Sequence, residues 1–515
     1  MPQPSSDSSN PRLNGFAVLL LLGPLLFLLV WYVSGFSALN DLARRVAAVA
    51  VWMSWWWITG VVPVSATALL PFALFPFLGV MDGEEATRHF AHWLNFLMLG
   101  GFMIAAAMER WNLHRRVALT IICWIGVTPR RIVLGFMVAT AFISMWINNT
   151  ASTVMMIPVA MAVLARLRQM TTDSFLDRFA PCLMLSIAYA ASIGGVGTLI
   201  GTAPNGIFVS ITHTIYDQTF GFLDWIKIGL PMVFIMLPLV WLYLVRIHYP
   251  LPAVIAGEAG TALDTERRAL GPLNRGEKIV AGVIVFAMLG WIFRQPFDFG
   301  FMILPGLQQA FPMVNTDACV ALMAAMILLI TPVNWRERTF VLDMPSVMKI
   351  PWDVLFIIGG GVCLAHGFSI TGLSNWMADQ LSVLSGLPPY WMLLICITAI
   401  TFITEVTSNT ATATLMIPLM GAVAVGLGQN PLFLMIPTSI AVSMAFMLPV
   451  ATPPNAVIFG SGHVSSRQMA RTGFWVNWVA VLVIFLVFTF LTAPLFGIHL
   501  NQVPEWAYIA APPLK

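Results

Sequence analysis

The sequence predicts an all-α polytopic membrane protein with about eleven transmembrane helices plus two re-entrant hairpins, arranged as inverted repeats. Three observations predict it. Of 515 residues, 59% are hydrophobic and only 9% charged, where soluble domains carry roughly a quarter charged residues. Apolar runs of about the 20 residues needed to cross a bilayer recur along the chain. Two further apolar stretches carry polar residues at their centres and share a sequence pattern.

The composition excludes a soluble enzyme or a nucleic-acid binder. The 25 Lys and Arg stand against 22 Asp and Glu, a formal charge of +3. That is too small for a polyanion-binding surface and reads as an orientation signal, so the expected partners are the lipid bilayer and small solutes, with no nucleic acid. The cysteines Cys123, Cys182, Cys319, Cys363 and Cys396 lie scattered in apolar stretches, without a CxxC or a ligand-like spacing to His. They read as small core residues, not as a metal site or a disulfide framework.

The first run, Phe16 to Val33, is longer than a signal-peptide core and ends at the interfacial pair Trp31 and Tyr32 without a small-residue cleavage site. It is expected to be retained as the first helix. Further spans fall near residues 43–60, 62–80, 92–113, 183–207, 223–247, 279–294, 315–333, 352–373, 431–460 and 472–496.

Two stretches do not fit this count. Ile132 to Ala165 is bounded by Arg130 and Arg131 before it and by Arg166 and Arg168 after it. The positive-inside rule wants both ends on the cytoplasmic face, which a single span cannot provide. The length is short for two full crossings and a turn, but fits two half-helices meeting at the polar turn Asn148-Asn149-Thr150. The stretch from about Tyr390 to Leu427 has the same form around Thr407-Ser408-Asn409-Thr410, and lacks basic residues at both ends, which suits entry from outside. With the N-terminus cytoplasmic and the C-terminus outside, 19 of the 25 basic residues fall on the cytoplasmic side. Residues 250–278 then contain a cytoplasmic linker.

The halves repeat. NNTASTVMMIP from Asn148 aligns with SNTATATLMIP from Ser408, six identities in eleven at an offset of 260. Upstream, Trp93 with Gly100-Gly101 matches Trp352 with Gly359-Gly360; downstream, Thr202-Ala203-Pro204-Asn205 matches Thr452-Pro453-Pro454-Asn455. Hairpins entering from opposite sides make the halves inverted repeats whose broken elements meet near the midplane, which is transporter architecture.

Each tip offers amide and hydroxyl oxygens and the N-terminus of the following half-helix, and each Thr-x-Pro-Asn segment frees backbone carbonyls. Oxygen ligands suit a hard cation such as Na⁺, and helix N-termini suit an anion. Neither tip holds Lys, Arg or His, so a carboxylate substrate would depend on helix dipoles, polar donors and bound Na⁺. Lone threonines such as Thr153 and Thr414 read as helix–helix contacts. Glu405, four residues before Asn409, has two open roles, ion coupling and bracing of the hairpin through backbone donors. Glu109-Arg110 reads as an interfacial ion pair, His366 as a packing residue, and the 30 Met and 19 Trp as lipid-facing or interfacial packing.

These residues resemble the divalent anion/sodium symporter family, and within it the bacterial sodium/dicarboxylate symporters. The resemblance runs from about Phe16 to Asn501 and rests on the paired tips, the paired Thr-x-Pro-Asn loops and the segments LGGFMIAAAMERWNLHRRVALTII and MLPVATPPNAVIFGSG. It implies a homodimer with scaffold and mobile transport domains, an elevator movement, and one sodium site per repeat. By position the first site would use Ser144, Asn149 and the backbone at Asn148 and Gly201, and the second Thr404, Asn409 and the backbone at Thr407 and Ala451. Substrate would meet Asn148, Asn149, Thr150, Ser408, Asn409, Thr410, Thr202 and Thr452. Pro204, Asn205, Pro453, Pro454 and Asn455 would break the helices. The sequence departs from the family at Asn148, where Ser is usual, and at Ala203, where Pro is common.

The implied domains are N-terminal scaffold helices (1–91), a first repeat core (92–222), further scaffold helices (223–350), a second repeat core (351–462) and a last helix with its tail (463–515). The reading is a sodium-coupled importer of C4 dicarboxylates in a bacterial inner membrane, with Na⁺ co-transported and no organic cofactor. A sodium-independent exchanger and a citrate or sulfate symporter remain open. A membrane enzyme would need convergent nucleophile, base or metal groups, which the sequence lacks, and opposed hairpins disfavour a channel.

Overall fold

The computed structural model describes residues 11–32, 39–169, 171–252, 263, 266–298, 303–380 and 386–507. Residues 253–262 of the expected linker and 508–515 of the tail lie outside the described residues. The described chain is helical apart from two short antiparallel ribbons at Phe297–Asp298/Ile303–Leu304 and Pro332–Asn334/Thr339–Phe340. Eight of its helical segments are long and apolar enough to cross a membrane, and four shorter apolar helices join them.

In the first half, α1 (Pro11–Tyr32) and α2 (Asp41–Thr59) pack as an antiparallel pair, followed by the short α3 (Val64–Thr67) and α4 (Leu70–Phe77). Asn40 caps α2 by accepting from the Ala43 amide at 2.7 Å, and Gly60 ends it in the left-handed region. After α5 (Gly83–Arg88) come α6 (Trp93–Arg110), α7 (Leu113–Ile125), α8 (Pro129–Ser144), α9 (Asn149–Arg168), α10 (Asp173–Gly195), α11 (Ala203–Tyr216) and α12 (Phe222–Leu242). In the second half follow α13 (Arg275–Ile292), α14 (Asp317–Ile330), α15 (Trp352–Ile370), α16 (Leu373–Gln380), α17 (Pro389–Ile403), α18 (Asn409–Gly426), α19 (Leu432–Ala441), α20 (Pro453–Gly460) and α21 (Ser466–Val487).

The helices preceding the two breaks are the most enclosed. Every residue from Phe179 to Gly195 of α10 is buried, as is every residue of α19. A helix apolar on all sides belongs at the centre of a bundle. Beyond each break the chain resumes as a helix with proline in its first turn, at Pro204 of α11 and at Pro453 and Pro454 of α20, where the missing amide costs nothing.

The halves interlock. Helix α11 packs against α15 and α18 of the second half, and α20 packs against α9 and α10 of the first. The duplicated glycines allow two close crossings. Gly100 of α6 seats on Ala321 of α14, where a Cβ would stand 2.7 Å from backbone, and Gly360 of α15 seats on the Ala68 carbonyl. Gly360→Val is therefore expected to prevent α15 from docking and to abolish the monodisperse species in size-exclusion chromatography. Gly101→Ala, whose Cβ would meet only the Ile200 side chain at 3.2 Å, should leave that species in place.

The sequence-based boundaries need correction in four places. The span expected at 183–207 starts at Asp173 and is interrupted between Gly195 and Ala203, the span at 431–460 breaks between Ala441 and Pro453, and the span at 62–80 is split into α3 and α4. Helix α7 is a separate 13-residue element, because Asn112 takes a positive φ of 54° and ends α6 in a sharp corner. The arms α8 and α9 have 16 and 20 residues, longer than half-helices. Trp225 and Trp291 are core residues, 0% and 2% exposed, rather than lipid-facing, and Cys319 is exposed.

Candidate functional site

Asn148 caps α9, its Oδ1 accepting from the Ala151 amide at 2.8 Å, and Ser408 occupies the equivalent position on α18. The next residue, Asn149 or Asn409, is turned away from the tip. Ser144 Oγ lies 2.7 Å from Asn149 Oδ1 and 2.8 Å from the Ala191 carbonyl oxygen. Thr404 Oγ1 lies 2.8 Å from Asn409 Oδ1 and 2.9 Å from the Val442 carbonyl oxygen. In each half three oxygens share one hydroxyl proton, so one acceptor lacks a donor at any instant. Gly195 makes room for the first cluster, since a Cβ there would overlap Asn149 Oδ1.

Behind the tips, the break loops are held by the asparagines of the Thr-x-Pro-Asn segments. Asn205 Nδ2 donates to the carbonyls of Gly195 (3.0 Å) and Thr198 (2.7 Å), and Asn455 Nδ2 to those of Ala445 (3.2 Å) and Leu448 (3.0 Å). The two halves then diverge. The second loop is fastened by Glu405, whose carboxylate accepts from the backbone amides of Phe446, Met447 and Leu448 and from Asn477 Nδ2 on α21, at 2.6–3.1 Å. The first loop has no carboxylate. Thr198 Oγ1 donates to the Met145 carbonyl at 2.5 Å and Trp225 Nε1 to the Val196 carbonyl at 2.9 Å.

A cavity of about 980 Å³ lies between the tips and the breaks. It is lined by all eight residues expected at the substrate, Asn148, Asn149, Thr150, Thr202, Ser408, Asn409, Thr410 and Thr452, with Gly201, Ala451, Pro453 and Pro454 beside them. Ser144, Thr404, Thr407, Glu405, Pro204, Asn205 and Asn455 do not line it; they stand behind the wall. A second cavity of about 460 Å³ shares Glu109, Asn148 and Pro351 with the first and adds Arg110 and Lys349. The N-termini of α9, α11, α18 and α20 all face the larger cavity, through the capping positions Asn148, Thr202, Ser408 and Thr452. Each contributes roughly half a positive charge, about two in all. No Lys, Arg or His lines it.

Comparison with known proteins places this arrangement. The family described as the sodium:sulfate symporter transmembrane region matches residues 17–498. The chain belongs to this family. The divalent anion/sodium symporter resemblance is thereby established over nearly the whole length, and the chain is a membrane transporter rather than an enzyme. Among its relatives, the sodium-dependent dicarboxylate transporter SdcS of Staphylococcus saprophyticus is 38% identical over 504 residues, covering 97% of this chain and 96% of that one. The SdcS protein of Staphylococcus aureus strain MRSA252 is 39% identical over 513 residues, covering 96% and 95%. In fold, the chain is similar to the Alcanivorax borkumensis YdaH transporter, with a TM-score of 0.50 at 13% identity over 81% of this chain and 90% of that one.

Several side chains of this symporter-family protein differ from their sequence-based reading. Arg110 pairs with Asp343 at 2.9 Å instead of with Glu109, and Glu109 lines both cavities. Thr153 and Thr414 hydrogen-bond back to the carbonyls of Asn149 (2.8 Å) and Thr410 (2.9 Å) in their own helices, and Thr414 also seats against Gly361 of α15, the helix–helix contact expected of it. His366 is a satisfied packing residue as read from the sequence, its partner being Glu85 at 3.1 Å. Sequence reasoning missed the carbonyls of Ala191 and Val442, Asn477, and the wall acids Glu109 and Asp353. Only Glu109 had a signal, since it stands in the LGGFMIAAAMERWNLHRR segment.

Proposed function

We propose that this protein imports C4 dicarboxylates such as succinate, malate and fumarate, coupled to Na⁺. The observation that carries the reading is the convergence of four helix N-termini, with no basic side chain, on one cavity. Their positive ends attract a dianion, the acids Glu109 and Asp353 on the same wall offset part of that attraction, and hydroxyl and backbone amide donors at Thr150, Thr202, Ser408 and Thr410 supply hydrogen bonds to its carboxylates. A dianion so held lacks a full counter-charge, which bound cations supply.

The duplicated clusters suit Na⁺. A hard monovalent cation prefers neutral oxygen ligands, and Ser144 Oγ with Asn149 Oδ1, or Thr404 Oγ1 with Asn409 Oδ1, provides two each. Backbone oxygens at Asn148 and Gly201, and at Thr407 and Ala451, complete the sets in this reading. Bound cations would draw each tip asparagine against its break loop and so set the helix N-termini around the substrate. The dicarboxylate named for the staphylococcal relatives agrees with a cavity suited to a dianion.

In this reading the halves are inverted repeats, α8–α9 and α17–α18 enter the inner membrane from the cytoplasm and from outside respectively, and the N-terminus is cytoplasmic. A homodimer with a scaffold and an elevator-like transport domain extends the same reading. Uptake of labelled succinate into proteoliposomes tests it. Accumulation is expected with an inward Na⁺ gradient and not with K⁺ in its place. Uptake that needs only internal succinate would make the protein an exchanger, and uptake confined to citrate or sulfate would reassign the substrate.

A further inference from the structure

The smaller cavity differs from the larger one in its charge. Arg110 and Lys349 line it, with Glu109 on the same wall, in a volume of about 460 Å³, whereas no basic side chain lines the larger chamber. The two spaces adjoin along Phe102, Glu109, Asn148, Ala151 and Pro351, which line both. In the orientation proposed above the smaller one lies on the cytoplasmic side, where Arg110 ends α6 and Lys349 precedes α15.

One carboxylate organises this wall. Asp343 Oδ2 pairs with Arg110 Nη2 at 2.9 Å, and its Oδ1 accepts from the Ser346 amide at 3.0 Å, capping the short turn Met344–Val347 that leads into Lys349. The Arg110 guanidinium also lies 5.9 Å from the centre of the Trp111 ring, which is fixed by its Nε1 donating to the Val341 carbonyl at 2.7 Å. Two cationic donors are left over. Arg110 Nη1 is buried without a partner, and the Lys349 ammonium has none among the described residues. A buried donor left unpaired costs free energy until an acceptor arrives, and a guanidinium beside an ammonium suits a carboxylate. Glu109 also has no partner among the described residues, and its negative charge holds the anion affinity of the pair down. A station on a transport path must bind weakly enough to release.

We propose that Arg110 and Lys349 form a second anion site, at which a carboxylate of the diacid pauses between the chamber and the cytoplasm without needing Na⁺. This inference rests on the dicarboxylate reading above. It gives release a step of its own: the diacid leaves the sodium-dependent chamber and meets the two cations, and Glu109 keeps its stay short.

Right-side-out membrane vesicles test it. They are loaded with unlabelled succinate in K⁺ without Na⁺, and the initial Na⁺-driven uptake of labelled succinate is measured. Without internal Na⁺ the chamber does not rebind substrate in the proposed reading, so inhibition from inside reports the second site. The parent is expected to be inhibited. Lys349→Glu should raise the internal concentration that halves uptake about tenfold and Lys349→Gln about threefold, in keeping with a solvent-screened charge contact. Glu109→Gln should lower it about threefold, and all three differences should shrink in high salt. As a second measurement, succinate in Na⁺-free K⁺ buffer should raise the melting temperature of the purified parent but not of Lys349→Glu, whose own melting transition shows that it is folded. No inhibition of the parent from inside, or the same half-inhibitory concentration in Lys349→Glu, overturns the assignment. Internal phosphate that inhibits as strongly as succinate overturns its carboxylate character. A parent that takes up no succinate overturns the functional reading instead, and the melting shift then decides the second site.

Discussion

Replacing either Asn149 or Asn409 with alanine is expected to abolish Na⁺-driven uptake while leaving the protein folded and inserted. Each asparagine supplies the amide oxygen of a three-oxygen cluster with a hydroxyl and a carbonyl. Removing the oxygen deletes one of the proposed sodium ligands and leaves Ser144 or Thr404 bonded to a single carbonyl. Loss of a contact to a charged group costs about 1.5–3 kcal/mol, roughly 10- to 150-fold in ion affinity. In the proposed reading the same tip carries the substrate donors, so displaced ion and lost anion site compound each other. Uptake measured across a series of Na⁺ concentrations, beside a thermal melt of each variant, separates this from misfolding. Normal transport by either variant would remove that asparagine from the site.

Glu405→Leu is expected to have the largest effect on stability. The carboxylate receives three backbone amides and the Asn477 amide in a place where Glu405 is 3% exposed and Asn477 0%. Leucine of similar volume leaves these donors unpaired, at about 1–3 kcal/mol for each buried group. The total is a large share of the 5–15 kcal/mol typical of a folded domain. Thermal unfolding in detergent should show little or no native transition. Glu405→Gln keeps one acceptor but faces an N–H toward the amides of Met447 and Leu448, so its melting temperature should fall between the two. If Glu405→Leu melted like the parent, the carboxylate would not brace the loop, and its place beside Thr404 would point to ion coupling.

Much of this site was legible in the sequence. The repeated Asn-Thr steps and the Thr-x-Pro-Asn segments identified every polar residue that lines the cavity at the tips and breaks, because polar groups in apolar helices stand out against their surroundings. Backbone ligands were illegible, since the carbonyls of Ala191 and Val442 belong to apolar residues with no side-chain signal. The partner of Arg110 was mistaken because Asp343 lies 233 positions away, and sequence adjacency offered Glu109 instead. The corner at Asn112 lies in the polar stretch Glu109 to Arg116, where an asparagine tolerates positive φ, and reading residues 92–113 as one span passed over that signal. Glu405 shows the limit of periodicity. The sequence flags a buried acid, but only the fold shows which donors surround it.

The exchange of α11 and α20 between the halves has a consequence for biogenesis. The ribosome makes α9 and α10 first, and α20, which packs against both, begins at Pro453, 258 residues after Gly195 (453 − 195). At a synthesis rate of roughly 5–20 residues per second, the first polar break waits about 13–52 s for its complement. Throughout that interval the nascent first half sits in the membrane with the cavity-facing ends of its helices uncovered. Truncations that end before α20 should therefore be targets for quality-control proteolysis, even when every preceding helix is correctly inserted.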